Sequence, residues 1–130
     1  MQARASYTSL RRRADFSRVH VQGQRKGDAL LQVRVLPRPA SVTVQSPIRL
    51  GIIVSKKFGS AVERNRFKRI IRAAIRALGP EFIPDWDVLV LPREAHEVKM
   101  SEVYASLRRL LGTLGVLRTT PISTVEGERS

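Results

Sequence analysis

The chain has 130 residues, with 24 Lys and Arg against 11 Asp and Glu and a formal net charge of +13. This length fits a single domain with a real core, and the absence of cysteine excludes disulfides, thiolate chemistry and Cys-based zinc knuckles. Charge of this size exceeds what solubility requires and points to a polyanionic partner. Nucleic acid leads and an anionic membrane surface comes second; Arg outnumbers Lys, and its planar fork grips phosphate and stacks on bases. No apolar run is long enough to span a bilayer, and the N-terminus lacks the apolar core of a secretory signal, so a cytoplasmic protein is expected.

Residues 1–9 read as a flexible arm. From Leu10 to about Val21, the apolar Leu10, Ala14, Phe16, Val19 and Val21 recur at loose helical spacing among Arg11, Arg12, Arg13 and Arg18, which predicts a short basic helix. Gly23 and Gly27 then punctuate the chain. Leu31, Val33 and Val35 alternate with Gln32 and Arg34 in a half-buried strand that Pro37 ends. After a small polar connection, Ile48–Ser55 reads as a second strand, most simply the hairpin partner of the first. Lys56 to Gly59 forms a turn. Ser60-Ala61-Val62-Glu63 is a capping box that starts a helix near Ala61, and Gly79-Pro80 stops it. Asp87–Leu91 is continuously apolar after its aspartate and reads as a central strand. A last helix opens at Ser101 with Val103, Tyr104, Leu107, Leu110, Leu111 and Leu114 inward. Residues 10–117 form the domain, and 118–130, polar and aperiodic, read as a disordered tail. The order is α-β-β-α-β-α, an α+β two-layer sandwich.

The helix after Ala61 is the most informative segment. Phe67, Ile70, Ile71, Ala74, Ile75 and Leu78 share one side, and Arg64, Asn65, Lys68, Arg69, Arg72 and Arg76 the other. A solvated charged face normally mixes signs in i, i+4 pairs. Here no acid stands between Glu63 and Glu81, so like charges stack one turn apart and a polyanion is the better explanation. Arg11, Arg12, Arg13, Arg18, Arg25 and Lys26 form a second basic cluster, with Lys56 and Lys57 a third. Aromatic residues are scarce; Phe16 is the best ring for stacking a base, with His20 one turn later, while Trp86 and Tyr104 read as packing residues. Catalytic groups are missing. His20 and His96 have no metal-ligand spacing, no Gly-rich phosphate loop is present, and Asp85 and Asp87, expected on one strand face, read as structural or as a weak divalent-ion pair rather than as acid–base catalysts.

The run from Gly51 through Val54-Ser55-Lys56-Lys57-Phe58-Gly59-Ser60-Ala61-Val62-Glu63-Arg64-Asn65-Arg66-Phe67-Lys68-Arg69 to Arg72 closely resembles the signature of the bacterial ribonuclease P protein subunit. Asp15-Phe16 with Gly23, and Asp87 to Arg93, resemble its flanking segments, so the likeness covers residues 10 to 114. The resemblance implies helices on a mainly antiparallel four-stranded sheet with a left-handed βαβ crossover, the fourth strand lying before Asp87 or near Lys56. It implies a subunit that binds a catalytic RNA and assists removal of the 5′ leader from precursor tRNA, with Mg²⁺ held mainly by that RNA and no protein partner required. Arg64, Asn65, Arg66, Lys68, Arg69 and Arg72 would contact RNA, as would Lys56, Lys57, Arg11, Arg12 and Arg13. Phe16, His20, Gln32 and Arg34 would line the leader cleft. His20 stands where the family often has a second Phe, and an aromatic usual near Arg34 is missing. No residue is assigned to catalysis or to metal. A structural RNA-binding protein of ribosomal type is the alternative; a membrane-surface helix is a third reading, opposed by the strands that need its apolar face.

Overall fold

The apolar run after Asp87 becomes the middle strand of a five-stranded sheet. The computed structural model describes residues 6–93 and 98–118. Its elements are β1 (Tyr7–Ser9), α1 (Arg13–Gln22), β2 (Gln24–Gly27), β3 (Leu31–Pro37), β4 (Ile48–Ile52), α2 (Ala61–Leu78), β5 (Trp86–Pro92) and α3 (Met100–Thr113), with 3₁₀ turns at Lys56–Phe58 and Gly79–Glu81. The strand order is β1-β4-β5-β3-β2.

The α+β class, the central place of β5 and the helix starting at Ala61 agree with the sequence reading. Several details differ. The sheet has five strands, and it is evenly mixed: β1–β4 and β4–β5 are parallel, while β2–β3 and β3–β5 are antiparallel. The strands beyond the three expected are β1 and β2, not segments before Asp87 or near Lys56. Tyr7–Ser9, expected within a flexible arm, pairs with Ile48–Leu50. β3 and β4 are not a hairpin, because β5 lies between them. A continuously apolar strand needs both edges paired, and the connection from Arg38 to Pro47 is long enough to step across it. Arg38 holds that connection: buried, it donates to the carbonyl oxygens of Ser46 (2.9 Å) and Pro47 (2.5 Å). Asp85 lies before β5 with φ 76°, outside the strand, so it does not share a strand face with Asp87. His96 and residues 119–130 lie outside the described residues.

One face of the sheet carries Leu31, Val33, Val35, Ile48, Leu50, Val88 and Val90. Phe67, Ile71, Ala74, Ile75 and Leu78 of α2 and Val103, Leu107, Leu110 and Leu111 of α3 close over it. Each of these helices keeps its apolar residues at 3.6-residue spacing, so burial follows directly from the pattern. Phe58 meets Phe67 edge to face at 4.8 Å and seals the entry to α2.

α1 packs on the opposite face, where Leu10, Val19 and Leu89 are buried beside an ionic cluster. Cross-strand pairing aligns Thr8, Arg49, Asp87 and Leu36 in one row. Asp87 is fully buried. Arg49 grips it with two bonds, Nε to Oδ1 at 2.8 Å and Nη2 to Oδ2 at 2.7 Å. Arg18 of α1 also donates to Asp87 Oδ2, and Asp15 of α1 lies 3.4 Å from Arg49 Nη1. The hydrogen bond to Asp87, joined by the attraction of both carboxylates, outweighs desolvation and raises the Arg49 pKa further above its ordinary value. A carboxylate without water survives only inside such a fork. Arg18 therefore serves the fold rather than the basic cluster in which the sequence placed it.

A second ionic anchor sits at the β2–β3 turn. Asp28 Oδ1 accepts from the backbone N–H groups of Leu30 (2.8 Å) and Leu31 (3.0 Å), and Oδ2 from Ser106 and Arg109 of α3. Desolvation is the largest single influence and raises its pKa; the bonds from Ser106, Leu31 and Leu30 and the Arg109 charge together outweigh it and leave it below the ordinary 3.8.

Removing the buried carboxylate with Asp87→Ala should lower the unfolding free energy by about 3–5 kcal/mol, since two guanidinium groups lose their partner. Urea denaturation checks this, and an unchanged midpoint would contradict the assigned role. Because the folded pKa of Asp28 is depressed, its contribution is present above the ordinary 3.8 and is lost as pH falls through the lower folded value. Asp28→Asn should therefore flatten the acid limb of a stability–pH curve below about pH 4.

Candidate nucleic-acid interface

α2 offers a rigid platform because its first turn is closed at both ends of a capping box. Ser60 Oγ accepts from Glu63 N at 3.2 Å, and Glu63 Oε1 accepts from Ser60 N at 2.7 Å. The bond from the Ser60 backbone, then that from its hydroxyl, depresses the Glu63 pKa below the ordinary 4.5. A Cβ at Gly59 would stand 2.4 Å from the same Glu63 oxygen, so the turn from Lys56 needs glycine there. Lys56 and Lys57 are exposed just ahead of the helix.

The cations of α2 do not form one uniform stripe. Arg64 is half-buried and donates from Nη1 to Gly59 O at 2.6 Å, which makes it partly a brace for the turn. Lys68 and Arg72 reach toward the sheet end, where they line a 180 Å³ cleft with Tyr7, Ser9, Leu10, Phe16, Gly51 and Ile52. Arg66 and Arg69 line a separate groove beside α3. Asn65 is exposed between these flanks. Among the described residues, no carboxylate lies within salt-bridge range of Arg66, Lys68, Arg69 or Arg72. The described acids are engaged elsewhere: Asp15 and Asp87 with Arg49, Asp28 with Arg109, Glu81 with Arg108, Asp85 with Arg38, and Glu63 and Glu102 with helix-start N–H groups.

The α1 face of the sheet gathers the residues expected in the cleft. Phe16 is half-buried and rests on Gly51, where a Cβ would come within 2.6 Å of its Cε1. Arg34 donates from Nε to Gln32 Oε1 at 3.0 Å and from Nη1 to the His20 carbonyl oxygen. The structure thus brings Phe16, Gln32 and Arg34 onto one face, with His20 exposed at its border. Arg25 is the direct cross-strand neighbour of Arg34 on this face. Like charges placed so are destabilising by themselves. Arg93, just past the end of β5, lies further along, its guanidinium 2.8 Å from where a Gly27 Cβ would stand. Spacing alone did not single out Arg93; its alternation with Asp87, Leu89 and Leu91 along β5 was the available signal.

Arg11, Arg12 and Arg13 are exposed at the start of α1. Cations there oppose the helix macrodipole, which favours anions at an N-terminus. A larger cavity of 670 Å³, lined by Pro47, Pro80, Pro84, Phe82, Asp85 and Arg118, lies at the other end of the strands and lacks the cation density of an RNA surface. Among the described residues, no group of three His, Cys, Asp or Glu side chains is placed to hold a metal ion.

Replacing Lys68 or Arg72 with Ala should leave the thermal midpoint unchanged and reduce the slope of log affinity against log salt for RNA by about one each. Arg64→Ala should also lower the midpoint, because it frees the Gly59 carbonyl. Gly51→Ala should displace the Phe16 ring at a cost of about 1–3 kcal/mol, measurable by thermal unfolding.

The family model described as Ribonuclease P matches residues 5–115. A ribonuclease P protein component from Dehalococcoides mccartyi (strain ATCC BAA-2266 / KCTC 15142 / 195) is 37% identical over 109 residues, covering 83% of this chain and 85% of the relative. One from Shouchella clausii is 35% identical over 109 residues, covering 83% and 86%. Among solved structures, the Staphylococcus aureus RNase P protein superposes with a TM-score of 0.73 at 28% identity, over 84% of this chain and 96% of that one. The Thermotoga maritima RNase P protein gives 0.67 at 28% identity, over 78% and 92%.

Proposed function

Because the chain belongs to the ribonuclease P protein family, we propose a division of its surface between the two RNAs that such a subunit meets. The chain is the protein component of the endoribonuclease that matures tRNA 5′ ends, and its partner is the RNA subunit. The ribosomal-type alternative is set aside by the family match.

In this reading α2, with Arg64, Asn65, Arg66, Lys68, Arg69 and Arg72, lies against the RNA subunit, Lys68 and Arg72 at its border with the Phe16 cleft, joined by Lys56, Lys57 and the arginines at the start of α1. The α1 face holds the single-stranded leader of precursor tRNA, with Phe16 as the stacking ring and Gln32, Arg34 and His20 beside it. Arg25 and Arg93 are added as phosphate contacts. What supports this is that, among the described residues, Arg66, Lys68, Arg69 and Arg72 have no carboxylate partner while the described acids neutralise other groups. A cation held unpaired on a rigid helix gains most from a phosphate. Residues 10–117, extended by β1, act as one RNA-binding domain, and the expected location is the cytoplasm. No helix among the described residues is long and apolar enough to cross a membrane.

The donor set of the described residues does not fit Mg²⁺. That ion needs several oxygen ligands in octahedral array, and the described carboxylates are held by guanidinium groups, backbone N–H groups or both. Mg²⁺ is therefore assigned to phosphates of the RNA subunit. The protein's contribution is positioning and charge neutralisation, which lower the Mg²⁺ concentration the RNA requires.

Reconstitution tests this. Mixed with the RNA subunit, the protein should restore 5′ cleavage of precursor tRNA at low Mg²⁺. Phe16→Ala should weaken binding of leader-bearing precursor more than binding of mature tRNA; equal losses would place the leader elsewhere.

A further inference from the structure

The groove between α2 and the start of α3 combines three cations with an apolar floor. Arg66, Arg69 and Lys99 stand around it, and Ile70, Ala73, Val98 and Met100 line it, enclosing 520 Å³. Ile70 is half-buried, Val98 buried, and Met100 remains 38% exposed, a large hydrophobic side chain left partly open to water. Lys99 holds the N-cap position of α3. That position calls for a side-chain acceptor such as Ser, Thr, Asp or Asn, which lysine lacks. It also faces the positive end of the helix dipole. Glu102 supplies the cap instead, its Oε1 accepting from Lys99 N at 2.8 Å. Local helix chemistry thus gives no reason for lysine here, whereas a phosphate beside Arg66 and Arg69 does.

We propose that this groove receives one unstacked nucleotide of the RNA subunit. Its base lies on Ile70 and Met100, and its flanking phosphates meet Arg66, Arg69 and Lys99. The inference rests on the assignment of α2 to that RNA. The source is the RNA subunit rather than the precursor because the groove opens on the flank of α2 away from Phe16. Arg66 and Lys68 are two residues apart, hence about 160° apart around the helix, and Lys68 lines the Phe16 cleft while Arg66 lines this groove. Charge complementarity accounts for the phosphates. The apolar floor accounts for a base, which a duplex backbone alone would not need. A nucleotide drawn out of a stack offers its face to such a surface.

The chain's lack of cysteine permits a direct test. Met100→Cys, carrying a photoactivated aryl azide, is assembled with the RNA subunit, cleavage activity is verified, and crosslinks are mapped by primer extension. The expected result is a discrete crosslink to an unpaired nucleotide of the RNA subunit. A crosslink only to precursor tRNA, or none in an active holoenzyme, overturns the proposal while leaving the assignment of α2 intact. Failure of Arg66→Ala and Arg69→Ala to alter assembly would strike at that assignment and at the groove's phosphate contacts together. A second measurement separates the two kinds of contact. Lys99→Ala should reduce the salt slope of RNA-subunit binding by about one. Met100→Ala should weaken binding several-fold at unchanged salt slope, with an unchanged thermal midpoint. Unaltered affinity in Met100→Ala would remove the base from the groove.

Discussion

The carboxylate of Asp87 is the constraint on which the RNA surfaces depend. It lies without solvent on the α1 face of the sheet, and only Arg49 and Arg18 make that tolerable. Because Arg18 belongs to α1 and Arg49 to β4, the same carboxylate sets where α1 sits on the sheet. Asp15 completes the clamp from the next turn of the helix. Burial of apolar area alone would hold α1 loosely, since Val19 is its one fully buried side chain. Directional ion pairs fix both position and rotation. Phe16, one residue after Asp15, is thereby placed over Gly51 at the edge of the cleft.

The scarcity of acid has a matching logic. A basic chain needs carboxylates where its arginines are structural and must avoid them where arginines bind phosphate. The described acids follow that division. They serve the sheet, the β2–β3 turn, the helix starts and the α3 flank, while α2 beyond its first turn presents cations alone. Self-repulsion along α2 is offset by the core beneath it, where Phe67, Ile71, Ala74, Ile75 and Leu78 bind the helix to the sheet. Stability and binding thus draw on opposite sides of the same eighteen residues.

What could be read in advance tracks the range of the interactions. α2 was legible because its signals are local: a four-residue capping box, a 3.6-residue apolar repeat and a Gly-Pro stop. β5 was legible from its continuous apolar run. β1 and β2 were not, since Tyr7–Ser9 is three residues long and Gln24–Gly27 is fully exposed, so neither carries a burial pattern. Order in the sheet was hidden because the partners of β5 are set by a connection that Arg38 braces from inside. Arg18 and Arg49 were the hardest to place. In sequence they are cations among many, and nothing local marks Asp87, 69 and 38 positions away, as their common partner. Phe16, Gln32 and Arg34 were placed in the cleft by family resemblance, which carries long-range information that periodicity does not.

The position of β5 has a temporal side. Both its neighbours, β4 and β3, precede it in the chain, so neither can complete its pairing until Pro92 has left the ribosome. Through that interval Arg18 and Arg49 lack their carboxylate, and the nascent polypeptide carries more bare positive charge than the finished protein does. Until Asp87 is synthesised, those two guanidinium groups stand without the acceptor that holds them in the folded protein. Thereafter the tethered carboxylate holds both through its high local concentration, and closing the sheet buries Arg49 and leaves Arg18 half-buried against it.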